Sequence, residues 1–139
     1  MKLRAQQERI VEILQETAIL SDIKILAEDR KDLVTTINTA LAKLGLCVVV
    51  QMISARVTKP NKPGPVYDDV KFSAVVYENV MINRSKSDRT AHSVAENIAE
   101  TLHQKRMNPD GGGKEIHVEA VLPQTDSDFF VVAVDMSID

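Results

Sequence analysis

Apolar positions in this chain recur with two spacings, and the switches between them lay out its elements. Leu3, Ile10, Val11, Leu14 and Ala18 share a stripe at helical spacing, while Arg4, Glu8, Arg9, Glu12 and Glu16 stay polar. That pattern predicts a helix from about Leu3 to Ala18. Ile23-Lys24-Ile25-Leu26, after Ser21-Asp22, reads as a brief strand. Leu33, Val34, Ile37, Ala40, Leu41 and Leu44 make the next helical stripe. Asp29 is placed to cap that helix, Asp32 to sit in its positive first turn, and Gly45 to close it in a left-handed conformation. A stripe of that width needs a sheet to lie on. Each of its large aliphatics contributes roughly 1.5–3 kcal/mol on burial, as an upper estimate.

The sheet follows at once. Leu46-Cys47-Val48-Val49-Val50 is apolar on both faces, as in a central strand covered on both sides. The pattern loosens from Gln51 through Met52, Ile53, Ala55 and Val57, so that end is expected to be more exposed. Lys59-Pro60-Asn61-Lys62-Pro63-Gly64-Pro65 is too rich in proline for a central ladder. It predicts a protruding hairpin loop, with Val70 to Glu78 returning antiparallel. Beyond Asn79-Val80-Met81-Ile82-Asn83-Arg84 a third helix is expected from about Asp88 to Arg106. Ala91, Val94, Ala95, Ile98 and Leu102 form its inner face, and Ser87 or Asp88 its cap. Met107 to Gly113 reads as a flexible connection. Glu115 to Leu122 and Phe129 to Ile138 then read as strands, joined by a turn over Pro123 to Asp128. In the last strand Phe130, Val132, Val134, Met136 and Ile138 share one face. The predicted order is α-β-α-β-β-α-β-β. It describes a single α+β (mixed α/β) domain, a mixed but mostly antiparallel sheet packed by helices.

Composition narrows the class. The 139 residues suit one domain with its own core, and 44% hydrophobic with 27% charged residues lies in the globular range. A net charge of −3 argues against a nucleic-acid scaffold with a basic face. One cysteine, Cys47, leaves no internal disulfide to form, and its aliphatic neighbours mark it as a buried small hydrophobe. The longest apolar run, Leu46 to Val50, is far short of the ~20 residues of a membrane helix. The start has no apolar stretch behind its basic residues, so no signal peptide is expected there and the chain reads as soluble.

Candidate chemistry is sparse. His92 and His103 are one metal's width apart only in name: on a helix their spacing places them about 16 Å apart. His117 falls between Ile116 and Val118 on a strand, so a solvated or sheet-surface histidine is the simpler reading of all three. Gly111-Gly112-Gly113-Lys114 lacks the spacing, the hydroxyl and the strand-to-helix setting of a phosphate loop. Asp22-Ile23-Lys24 and Asp69-Val70-Lys71 carry the acid-x-lysine wording of metal-dependent nucleases, without further carboxylates set to converge. Phe72 and Phe130 are in phase with aliphatic core positions, which assigns them to packing and not to base stacking. No metal, cofactor or catalytic residue is expected.

One stretch resembles a known family. Val75-Val76-Tyr77-Glu78-Asn79, then Asn83-Arg84, then the Ala-Glu-x-Ile-Ala helix from Ala91 to Leu102, is similar to small prophage tail proteins. The element order is similar to that of tail terminator proteins of the lambda type. The resemblance covers about a third of the chain and implies a non-enzymatic structural role. Subunits would form a homo-oligomeric ring that caps the tail tube and docks to the head connector, in the cytoplasm of a bacterial host during assembly and in the virion tail afterwards. No membrane or direct nucleic-acid contact is implied. Candidate contact residues are Lys59, Lys62 and Tyr67 in the proline-rich loop, Lys114 in the glycine-rich loop, and Glu78, Asn79, Asn83 and Arg84 at the strand exit. The last four can equally serve local backbone bonding. The alternatives are a head–tail joining (neck) protein, a small metal-dependent nuclease, or a host adaptor domain unrelated to phage.

Overall fold

The computed structural model describes residues 3–28, 33–58, 66–86, 88–125 and 129–139. Its elements in chain order are α1 (Leu3–Gln15), a single 3-10 turn (Ala18–Leu20), β1 (Lys24–Ala27), α2 (Leu33–Lys43) and β2 (Leu46–Thr58). β3 (Val66–Glu78), α3 (Val80–Lys86), α4 (Ala91–Leu102), β4 (Ile116–Thr125) and β5 (Phe130–Ile138) follow. The strands form one sheet in the order β1-β2-β3-β5-β4, with β1 parallel to β2 and every other pairing antiparallel. This is the expected α+β class, with one helix more than the sequence pattern predicts.

Strand alternation divides the core between two faces. Leu46, Val48 and Val50 of β2, Val70, Phe72, Ala74 and Val76 of β3, and Val132, Val134, Met136 and Ile138 of β5 point to one face. There Ile10, Ile13 and Leu14 of α1 and Ala91, Val94, Ala95, Ile98 and Leu102 of α4 cover them. On the second face, among the described residues, α2 lies over the sheet, with Ile37 and Leu41 against Cys47, Val49 and Leu26. That contact is narrow, so Val34, expected in the stripe, is 72% exposed. Cys47 is buried, as expected, and burial pushes its thiol up to about 11. Native Cys47 should therefore react with a disulfide reagent at pH 8 at least about 100-fold more slowly than the urea-unfolded chain. Labelling at comparable rates in both states would contradict this packing.

Helix ends differ from expectation for local reasons. Thr17, with φ −79° and ψ 119°, is extended and ends α1 before Ala18. Ser87 lies outside the described residues, and Asp88 precedes an extended segment; Thr90 caps α4 instead. Its Oγ1 accepts from Ser93 N at 3.1 Å, while Ser93 Oγ accepts from Thr90 N at 2.9 Å. The linker from Asn79 forms α3, because Asn79 O accepts from Asn83 N at 2.9 Å and its side chain accepts from Ile82 N. Gly45 has φ +85°, the left-handed closure expected of it. Asp29, Asp32, the loop from Lys59 to Pro65 and the turn residues 126–128 lie outside the described residues.

The stretch after α4 is a formed hairpin where a flexible connection was expected. Met107 N donates to Lys114 O, Asn108 N to Gly112 O, and Arg106 bridges Glu115. Met107, expected in that flexible connection, is 2% exposed and packed in the main core. Positive φ at Gly111 and Gly113 turns the chain tightly enough to seat it.

Candidate functional site: a shallow trough, a projecting ribbon and a buried polar knot

Among the described residues α2 lies over the β1–β2 end of the second face, while over β3 and β5 Ser73, Val75, Val131 and Ala133 are buried without a helix above them. A trough of about 290 Å³ lies there. In direct register across its floor run Gln51, Ser73 and Asp135, from β2, β3 and β5. Val75, Val131 and Ala133 form the apolar part, and Tyr77 and Phe129 touch both this cluster and the α2 cluster, walling one from the other. Two features mark the trough as incomplete. Ile53 at its rim is 55% exposed, and Ser73 Oγ is buried without a hydrogen-bond partner among the described residues. Asp135 is the one charged residue in its lining and has no ion-pair partner among the described residues.

A second surface is the far end of the β2–β3 hairpin. β1 pairs β2 only as far as Val50, and β5 pairs β3 only from Val70. Beyond these points two strands continue alone for about 15 Å. Irregular pairing between Met52 and Arg56, with Asp69 at φ +50°, bends this ribbon. Arg56 bonds Asp68 and Asp69 at 3.1 Å each across it. Hydrogen bonding from Arg56 holds the Asp68 carboxyl below its usual range. Val57 remains exposed. A two-stranded ribbon is marginal on its own in water.

The strand-exit residues meet in a buried knot. Glu78, 5% exposed, accepts from Ala91 N at 2.8 Å through Oε1 and from Asn83 Nδ2 at 2.9 Å through Oε2. Asn83 Nδ2 also donates to Arg89 O. Asn79 N donates to Gly45 O at 2.9 Å. The carboxylate thus sits at the positive N-terminus of α4 and ties β3, α3 and α4 together. Tyr67 is half-buried against the main core, and Lys114 is exposed in the hairpin. Arg84 lies in α3, and Lys59 and Lys62 are outside the described residues. The structure therefore gathers Glu78, Asn79 and Asn83 and leaves Tyr67 and Lys114 apart from them.

Other polar groups are spread out. Arg89 grips Asp22 through two bonds of 2.9 and 2.6 Å, and this hydrogen bonding, more than the charge, holds the Asp22 carboxyl below its usual range. Asp69 faces Arg56, and Lys71 lies 3.9 Å from Glu119. No three His, Cys, Asp or Glu side chains gather as metal ligands among the described residues. The histidines are paired in a way their spacing hides: the hairpin brings His117 to an edge-on contact with His103, whose Nδ1 accepts from Val118 N at 3.1 Å. His92 packs on Phe130.

Sequence reasoning passed over Gln7, Ser73 and Asp135. Gln7 Nε2 donates to Val50 O at 2.7 Å under α1, and nothing in the local pattern signals it. Ser73 and Asp135 did leave a trace, as polar residues on the second face of otherwise apolar strands. No protein-family model matches this chain, and no curated protein matches its sequence. Among the described residues no helix is long and apolar enough to cross a membrane.

Proposed function

We propose that this chain is a non-enzymatic structural protein of a phage-type tail, similar to a tail terminator, which assembles as a homo-oligomeric ring capping the tail tube and meeting the head connector. The observation that carries the reading is the exposed apolar surface of the β2–β3 ribbon. A folded subunit that leaves Met52, Ile53 and Val57 exposed along a projecting two-stranded ribbon is shaped for packing against other subunits. The resemblance around Val75 to Asn79 and Ala91 to Leu102 supplies the assembly in question. The strand-exit residues serve that role indirectly, by fixing α4 on the sheet.

Sedimentation velocity over a wide concentration range tests it, alone and with preformed tail tubes. A ring-forming subunit gives one larger species of fixed size, promoted by tubes if it does not close alone. A chain that stays at 15.4 kDa under both conditions sinks the proposal.

A further inference from the structure

The turn after α4 closes part of the sheet's outer edge. β4 stands at that edge and pairs with β5 alone. On its free side Gln104 N donates to Ile116 O and Ile116 N to Lys105 O, both at 2.8 Å. Two residues further along the same side, Val118 N donates to His103 Nδ1 at 3.1 Å. Past Val118 the ladder slips before Ala120, and Pro123 has no N–H to offer an incoming strand. Bare strand edges pair readily with other chains, and these features guard the edge against that. The guard at Ile116 is backbone, whereas the guard at Val118 is a side chain.

That difference matters because the side chain titrates. Nδ1 can accept from Val118 N only while that nitrogen carries no proton, which fixes His103 as the neutral ring with its hydrogen on Nε2. A proton added at Nδ1 sets two donors against each other, and the ring has to turn away from the strand. The charges around it are unevenly placed. The His117 ring stands edge-on, its centroid 6.4 Å from that of His103, and His117 Nε2 faces Asp139 Oδ2 at 3.7 Å. Arg106 is paired with Glu115 and Lys71 with Glu119, while Lys105 follows in the turn and Glu100 precedes on α4. Among the described residues no carboxylate pairs with His103. Gln104 adds strain, since its φ of +66° is uncommon for a residue with a side chain and the bonds on either side hold it there.

We infer that His103 is an acid-released clasp on the edge of β4. Uncharged, it covers the Val118 amide and keeps the turn after α4 seated against the strand; protonated, it lets both go. The sign follows from the acceptor: the bond is present at high pH and is lost as pH falls through the range, about 5–8, in which imidazoles take up a proton. His117 does not replace it, because a protonated His117 faces Asp139 as its counter-ion. Acid therefore bares the outer edge of β4 at Val118 and loosens the start of the hairpin beyond α4. The device stands apart from the ring reading and needs no second copy.

Nuclear magnetic resonance on the isotope-labelled chain tests it. At about pH 7.5 the imidazole nitrogens of His103 should report a bare Nδ1 and a protonated Nε2. Between about pH 7.5 and about pH 5 the Val118 amide should lose protection from hydrogen exchange at least about tenfold, once the intrinsic effect of pH is divided out. The Val134 amide, in the interior of the sheet, should hold its protection over the same interval. His103→Asn places an oxygen where Nδ1 stands and does not titrate, so its Val118 protection should change by less than about twofold. A proton on His103 Nδ1 at about pH 7.5 overturns the inference. So does a wild-type Val118 amide indifferent to acid, or an acid response equally large in His103→Asn.

Discussion

Replacing Gly45 by alanine is expected to destabilise the fold by about 2–5 kcal/mol. Two costs add there. At φ +85° a side chain occupies the left-handed region, worth roughly 1–2 kcal/mol against an L-residue. A Cβ would also stand 2.4 Å from Asn83 N and 2.7 Å from Asn83 Cα, both backbone atoms of a helix that is itself pinned by the Glu78 knot. Such overpacking typically adds about 1–3 kcal/mol. Gly111 is the control, since it has φ +91° with nothing within 4 Å of an added Cβ. Gly111→Ala should pay the backbone cost alone, about 1–2 kcal/mol. Urea denaturation of both variants reads the difference, and equal midpoints would show that Asn83 gives way freely.

Glu78→Ala should cost a similar amount by another route. The change strips the buried amide of Ala91 and the side-chain amide of Asn83 of their acceptor, and each orphaned donor costs about 1–3 kcal/mol. Water cannot substitute easily, because Glu78 and Asn83 are 5% and 2% exposed. Glu78→Gln keeps an oxygen for Ala91 N but turns an amino group toward Asn83 Nδ2, so it should lose roughly half as much. Hydrogen exchange adds a local readout: amides in the first turn of α4 should exchange faster in Glu78→Ala, ahead of those in β3. Full stability with unchanged exchange in that turn would mean the carboxylate is not what holds α4. Because the same residues carry the family resemblance, a loss of monomer stability would also account for that wording without any subunit contact.

Much of the fold could be read from periodicity alone. The inner face of α4 is the five residues its spacing predicts, and β5 buries four of the five residues its alternation predicts, with Phe130 half-buried at its start. Gly45 was legible because its conformation is demanded by a neighbour in sequence. The helix ends were less so, since Thr90 competes with Asp88 on equal chemical terms and only the extended path from Arg89 decides between them. The candidate site was largely hidden. Ser73 and Asp135 meet only when β3 and β5 pair in register, more than sixty positions apart, and His103 meets His117 only through a hairpin that looked like slack.

What the sequence determined by itself is therefore the set of elements, their buried sides and the α+β class, because hydrophobic period and cap chemistry act over a few neighbouring residues. Tertiary structure decided which strands are neighbours, that α2 packs over the β1–β2 end of the second face, and that Glu78 turns inward to hold a helix. Those outcomes depend on contacts between segments far apart in the chain, and no local pattern carries the energy of a pairing that forms only when the sheet is assembled.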